Sequence, residues 1–152
     1  MKKNIVLLII FSTVIVLVIH FFTKNLILKP LNGKITSDFG YRTHPISGKY
    51  SFHNGIDIAS PTGTKIKAPF SGKVYSSYYN SEGGNQIILE RKDGLRVGFA
   101  HLNKSYLKKG DSFKINDFIA EVGNTGNSTG SHLHFTVKDK NSKYLDPKKI
   151  MV

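Results

Sequence analysis

One stretch of the sequence decides the fold class: Gln86-Ile-Ile-Leu-Glu-Arg-Lys-Asp-Gly-Leu-Arg-Val-Gly-Phe-Ala100. Two runs rich in Ile, Leu, Val and Phe flank its centre, where Asp93-Gly94 is a strong tight-turn signal because glycine readily adopts the positive φ that such turns require. The stretch therefore predicts two antiparallel strands joined by a hairpin.

The same alternation of strand and turn signals continues outward from this hairpin. From Gly33 onward no segment has a convincing 3.6-residue period, and short apolar runs alternate with Gly, Asn, Pro and Ser. Many short strands with tight connections predict an all-β fold of antiparallel sheets with little helix. The candidate strands are Ile35–Phe39, Gly55–Ala59, Lys65–Ala68, Gly72–Tyr79, Gln86–Arg91, Leu95–Ala100, Phe118–Val122 and His132–Lys138.

The N-terminal segment has a different composition. Residues 5–22 form an 18-residue run in which only Ser12, Thr13 and His20 are not strongly apolar. As a helix this run is roughly 27 Å long, close to the hydrocarbon thickness of a bilayer. It is longer than the apolar region of a cleaved signal peptide, and no Ala-x-Ala pattern follows it, which favours an uncleaved transmembrane anchor. A buried core helix is disfavoured because the run is apolar on every side.

These features divide the chain into five parts. Residues 1–4 are a short N-terminal tail, 5–22 the transmembrane signal anchor, 23–32 a linker, 33–149 the folded domain and 150–152 a C-terminal tail. A ten-residue linker reaches at most about 35 Å when extended. Lysines flank the apolar run on both sides, so charge alone gives only a slight preference for one orientation in the membrane.

Composition excludes several classes of function. The 152 residues contain no Cys, which excludes a disulfide framework, a thiolate nucleophile and cysteine-based zinc sites. The formal charge is +12, and without the four lysines that precede Pro30 the domain keeps about +8. Such a surface attracts polyanions, whether nucleic acid, anionic lipid or acidic wall polymers. Since the lysines are scattered, the hypothesis of a nucleic-acid-binding domain depends on charge alone.

Two pairs of polar residues have spacings that suit metal binding. His132 and His134 lie two residues apart in a predicted strand, so their side chains share one face of it. His53 and Asp57 would lie ~13 Å apart on a straight strand, too far for one ion. A bend at Gly55, with His53 in a loop and Asp57 on a strand, would bring the two together. Either pair alone is more typical of a solvated strand face or a polar loop.

Together the two pairs supply imidazoles and a carboxylate, which is a common ligand set for catalytic zinc. A zinc hydrolase also needs a proton acceptor, and the sequence contains no His-Glu-x-x-His motif that would supply a glutamate. Histidine is the remaining choice. The candidates are His101 and whichever of His132 and His134 does not bind the metal.

At this point the sequence resembles a known family, the lysostaphin-type (LytM-like) zinc endopeptidases of bacterial cell walls. The resemblance runs from about Gly33 to Pro147, and several long motifs in the right order make it specific. One departure is Thr136, where the family usually has Glu. The motifs are Ser37-Asp-Phe-Gly-Tyr-Arg-Thr-His-Pro45, His53-Asn-Gly-Ile-Asp-Ile-Ala59, Ala100-His-Leu102 and Gly123-Asn-Thr-Gly-Asn-Ser-Thr-Gly-Ser-His-Leu-His-Phe135.

The resemblance implies a β-sheet fold with a narrow groove and one Zn²⁺ per domain, held by His53, Asp57 and His134. It implies that His101 and His132 form the catalytic pair, one taking a proton from the attacking water and the other hydrogen-bonding the oxyanion or the leaving amine. The implied activity is zinc-dependent hydrolysis of peptide bonds in peptidoglycan stem peptides or cross-bridges.

Combined with the apolar N-terminal run, the resemblance predicts a protein of the bacterial cell envelope. It would cross the inner or cytoplasmic membrane once and hold its catalytic domain outside the cytoplasm. The expected partners are the peptidoglycan peptide, the membrane, and anionic wall polymers or lipid; no specific nucleic-acid binding is expected, and the chain is expected to be a monomer.

The alternative hypothesis is a non-enzymatic LytM-like scaffold that binds peptidoglycan or regulates another hydrolase. Such scaffolds typically lack metal ligands. All three ligand positions and both catalytic positions are filled in this sequence, which favours the enzyme.

Overall fold

The computed structural model describes residues 26–43 and 48–152. The predicted transmembrane segment 5–22 lies outside these ranges, and no helix within them has the length and apolar character needed to cross a bilayer. The described chain forms thirteen strands and one 3₁₀ helix, Pro147–Lys149. In chain order the strands are β1 Lys34–Ser37, β2 Gly40–Thr43, β3 Tyr50–His53, β4 Gly55–Ala59, β5 Lys65–Lys67, β6 Gly72–Asn80, β7 Gly84–Arg91, β8 Arg96–Leu102, β9 Lys104–Ser105, β10 Ser112–Phe113, β11 Phe118–Glu121, β12 His132–Lys138 and β13 Tyr144–Leu145.

Eight of these strands form the main sheet, in the order β1-β4-β12-β8-β7-β6-β10, with β13 pairing to β12. Every pair in this sheet is antiparallel. Smaller sheets contain β5-β11-β9 and the β2–β3 hairpin. The all-β antiparallel fold predicted from the sequence is thus confirmed, and each of the eight predicted strands corresponds to an observed one.

Strand β12 shows how the sequence fixes the position of its histidines. Leu133, Phe135 and Val137 are fully buried, while the residues that alternate with them lie on the opposite face. Burying one such apolar side chain stabilises the fold by about 1.5–3 kcal/mol. A slip of one residue would exchange the two faces, so the apolar residues hold the register in which His132 and His134 face away from the core.

The folded domain is longer than the predicted range 33–149. Ile27 is 2% exposed within the core, and its backbone pairs with Ile150 and Val152 at distances of 2.9 Å. Leu31 is also buried. Parts of the predicted linker 23–32 and of the predicted C-terminal tail 150–152 therefore belong to the folded domain, because the two segments satisfy each other's backbone hydrogen bonds.

Candidate metal centre

The centre of the site lies where β4 and β12 run side by side in the main sheet. In their antiparallel register Asp57 lies directly opposite His134. The Nδ1 atom of His134 is 2.8 Å from Oδ1 of Asp57. The two residues are 77 positions apart in the sequence, so the pairing of the strands, rather than local sequence, brings them together.

His53 reaches the same point from the β2–β3 hairpin. The prediction that it lies in a loop is wrong, because His53 is the last residue of β3 and pairs with Gly40 of β2. The chain leaves the strands only at Asn54, before β4 begins. Gly55 has a different role from the predicted bend, since a Cβ there would lie 2.4 Å from the carbonyl oxygen of Phe135. Glycine lets β4 pack closely against β12.

The three predicted ligands converge, with one donor atom of each facing the others. Nε2 of His53 lies 3.1 Å from Nδ1 of His134 and 3.3 Å from Oδ1 of Asp57. Ligands bound to zinc at its usual bond lengths in a tetrahedral site lie about 3.3 Å from one another. Among the described residues this is the group of His, Asp and Glu side chains whose donor atoms could hold a metal ion. The donor set and its spacing fit zinc.

The outer nitrogens of both imidazoles are held by oxygen atoms. Nδ1 of His53 donates to the backbone carbonyl of Asp38 at 2.8 Å, and Nε2 of His134 donates to Oδ1 of Asn54 at 3.0 Å. These hydrogen bonds leave the inner nitrogen of each ring with a free lone pair, which is the form that binds a metal.

The surroundings of Asp57 favour its anionic form. Burial raises the pKa of this carboxyl, but the close approach of the His134 and His53 imidazoles outweighs burial and holds the pKa well below its usual range. Its second oxygen, Oδ2, lies 3.7 Å from the guanidinium of Arg42. Asp57 is therefore ionised at neutral pH, as a metal ligand must be.

His101 and His132 lie beside this group, with their ring centroids 4.7 Å apart. Nδ1 of His101 donates to the carbonyl of Thr125, and Nδ1 of His132 donates to the carbonyl of Gly130, both at 2.8 Å. In the neutral rings Nε2 is then the acceptor, and that of His132 lies 3.8 Å from Oδ1 of Asp57. Burial lowers the pKa of His101, which keeps this imidazole neutral at pH 7.

These side chains line a groove of about 480 Å³. One wall contains Arg42, Ser51 and Phe52 of the β2–β3 hairpin, and Asn127–Thr129 of the loop between β11 and β12 also line the groove.

Sequence reasoning missed the groups that orient the imidazoles. Asp38, Thr125 and Gly130 act through backbone carbonyls. Every residue has such a carbonyl, so residue type gave no signal for them. Asn54 acts through its side chain, and its position next to His53 was the available signal.

The sequence of this chain is similar to those of known peptidases. The chain is 38% identical over 109 residues to the peptidoglycan DD-endopeptidase ShyB of Vibrio cholerae, covering 71% of this chain and 26% of ShyB. It is 40% identical over 99 residues to lysostaphin of Staphylococcus staphylolyticus, covering 64% of this chain and 21% of lysostaphin. The chain thus spans about a quarter of the length of these curated relatives.

Solved structures agree with these relatives. The catalytic domain of lysostaphin from Staphylococcus simulans superposes with a TM-score of 0.71 at 36% identity, covering 78% of this chain and 91% of that domain. A zinc-containing peptidase from Vibrio cholerae gives a TM-score of 0.72 at 34% identity, covering 81% of this chain and 38% of that one. These likenesses confirm the resemblance to lysostaphin-type peptidases. The model of peptidase family M23 matches residues 51–147, and the chain belongs to this family.

Proposed function

We propose that this protein is a zinc-dependent endopeptidase that hydrolyses peptide bonds in peptidoglycan stem peptides or cross-bridges. The observation that carries the proposal is the convergence of His53, Asp57 and His134, whose donor atoms lie 2.8–3.3 Å apart although they come from three strands. Two imidazoles and one carboxylate leave a fourth position for water or substrate. The names of ShyB and lysostaphin support the choice of peptidoglycan.

Zinc bound by these residues would polarise the scissile carbonyl and make a water nucleophilic near neutral pH. The chain's own contribution is the pair of imidazoles beside the ligands. The carbonyls of Thr125 and Gly130 fix the rings of His101 and His132 so that each can present Nε2 to the reacting groups. One ring accepts the proton of the attacking water at its unprotonated Nε2; the other, when it is protonated at Nε2, donates a hydrogen bond to the oxyanion or a proton to the leaving amine.

We further propose that the enzyme is tethered to the membrane, with its catalytic domain on the outer side. The apolar run 5–22 supports a single transmembrane anchor. The backbone is already paired to the domain at Ile27, so the five residue steps from Phe22 span at most about 18 Å. A tether this short would restrict cleavage to peptidoglycan close to the membrane.

The test incubates the full chain, solubilised in detergent, with purified peptidoglycan and identifies the products by mass spectrometry. We expect new amine-terminated fragments with the wild type, none with His134→Ala, and one zinc per wild-type chain by elemental analysis. Identical products from both proteins would refute the enzyme. If elemental analysis finds no zinc in the wild type as purified, and the protein binds peptidoglycan without cleaving it, the result would instead support the scaffold.

A further inference from the structure

The β2–β3 hairpin has two faces with different chemistry. Arg42, Ser51 and His53 lie on the face that lines the groove. The opposite face contains three aromatic side chains, Tyr41, Tyr50 and Phe52, of which 70%, 74% and 45% of the surface is exposed. We call these three residues the aromatic plate. Exposed apolar surface that is concentrated in one patch commonly marks a binding site.

The rings of the aromatic plate support one another. Tyr41 stacks on Tyr50 with ring centroids 5.6 Å apart and planes inclined by 13°, and it meets Phe52 edge-on at 5.1 Å. Phe39 packs edge-on against Phe52, with ring centroids 5.0 Å apart. These contacts make a surface of mutually packed rings rather than of independently moving side chains. Binding to this surface costs little side-chain entropy, because the protein's rings are already held in place by one another.

We propose that the aromatic plate binds the sugar chain of peptidoglycan while the stem peptide lies in the groove. The inference rests on the proposed function, because peptidoglycan is a polymer in which a peptide and a sugar chain are covalently joined. Pyranose rings present flat C–H faces that pack on aromatic rings, and their hydroxyl edges can hydrogen-bond to the hydroxyls of Tyr41 and Tyr50.

The position of the plate supports this occupant. Phe52 is also one of the residues that line the groove, so the plate adjoins the groove although its rings lie on the other face of the hairpin. The rest of the described groove lining contains imidazole, amide, hydroxyl and charged groups but no Phe or Tyr, so the rings on which a sugar can stack beside the groove are those of the plate.

The chemistry of the plate also favours a sugar over an apolar partner. Two of its three rings are tyrosines, each with a polar hydroxyl. The exposed aliphatic side chains of the described chain, Leu26, Ile115 and Val152, belong to other segments. A surface for an apolar helix or for lipid would combine aliphatic side chains with the rings, whereas a surface of rings and hydroxyls matches a carbohydrate.

The first test measures binding to sugar chains that contain no peptide. Glycan strands are prepared by removing the stem peptides of peptidoglycan with an amidase, and their binding to the full chain in detergent is measured. The double variant Tyr41→Ser/Tyr50→Ser should bind about tenfold more weakly, since residues at the centre of a binding site commonly contribute this much. Phe118→Ser, which alters a 48%-exposed ring on a different sheet, should bind like the wild type.

The second test separates the sugar contact from damage to the hairpin. The double variant should cleave intact peptidoglycan with a KM about tenfold higher, while its kcat/KM on a sugar-free cross-linked peptide stays at the wild-type value. Tyr41→Phe/Tyr50→Phe, which keeps the rings, should retain most of the binding. Equal losses on both substrates would overturn the proposal, because they would show that the hairpin had moved His53.

Failure of this inference can be distinguished from failure of the proposed function. Glycan binding does not depend on hydrolysis, so it is measurable even if the chain cleaves nothing. A wild type that cleaves peptidoglycan but shows no affinity for glycan strands, or binds them equally well after both tyrosines are changed to serine, would refute the aromatic plate as a sugar site and leave the peptidase intact.

Discussion

Replacing Gly84 with alanine should weaken both the fold and the catalytic pair. Gly84 is the first residue of β7 and has a φ of 63°, in the left-handed region that costs other residues about 1–2 kcal/mol. A Cβ at this position would lie 2.2 Å from Oγ1 of Thr125 and 2.5 Å from its carbonyl carbon. Thr125 must therefore move.

The consequence follows from what Thr125 holds. Its Oγ1 accepts a hydrogen bond from the backbone N–H of Asn85 and donates one to the carbonyl of Leu102. Losing both costs about 1–3 kcal/mol, so the variant should be about 2–5 kcal/mol less stable. The carbonyl of Thr125 also accepts the Nδ1–H of His101 at 2.8 Å. If His101 takes part in catalysis, a displaced ring should lower kcat by about 10- to 100-fold.

Gly110→Ala is the matched control. Gly110 also has a positive φ, of 93°, but a Cβ there would meet nothing within 4 Å. It should show only the backbone cost of about 1–2 kcal/mol and keep the wild-type kcat. The assays are urea unfolding of the full chain followed by circular dichroism, and cleavage of a cross-linked stem peptide. If Gly84→Ala matched Gly110→Ala in both stability and kcat, the contact with Thr125 would not position His101.

Three further predictions follow from the same structure. His101→Asn should abolish cleavage, because it removes one of the two proposed catalytic imidazoles. Asn tolerates the φ of 61° but loses the hydrogen bond to Thr125, so urea unfolding should show a loss of no more than about 1.5 kcal/mol, and a larger loss would contradict this. Burial lowers the pKa of His101 below 6.5, so the unfolded chain binds the proton more readily than the folded chain does. The metal-free wild type should therefore lose stability as the pH falls below 6.5. Urea titrations across this range should show that the free energy of unfolding depends less steeply on pH in His101→Asn than in the wild type. Ile27→Ala should lower the free energy of unfolding by about 2–5 kcal/mol, because the side chain is buried in the core. Leu26→Ala, which alters a neighbouring side chain that is 37% exposed, should change it by less than about 0.5 kcal/mol. Equal effects of the two substitutions would mean that the N-terminal segment does not pack in the core.

The difference between predicted and missed strands has a physical cause. Strand β12 was predictable because its apolar residues alternate strictly with polar ones, as a strand with one buried face requires. The β2–β3 hairpin was missed because no such face exists in it: its residues are partly or fully exposed on both sides, and only His53 is buried. The apolar alternation that identifies a strand was therefore weak in the segment that carries a predicted metal ligand.

Convergence of the site could not be derived from spacing alone for a related reason. A period of two residues tells which face of a strand a histidine occupies but not which strand lies beside it. The main sheet places β12 between β4 and β8, an order that differs from the order in the chain. His134 therefore meets Asp57 through pairing over 77 residues. The family resemblance supplied this information, because it implied that His53, Asp57 and His134 bind one metal ion and therefore lie together.

The same reasoning explains why the resemblance placed the start of the domain too late. Motifs mark positions where chemistry or backbone geometry requires one residue type, and the segment around Ile27 has no such requirement. Its contribution is an apolar side chain in the core and backbone hydrogen bonds to Ile150 and Val152, which many sequences could provide. The segment nevertheless affects the proposed function, because each residue that pairs with the domain is removed from the tether. Releasing it, for example by deleting residues 150–152, should lower stability and at the same time lengthen the reach of a membrane-anchored enzyme.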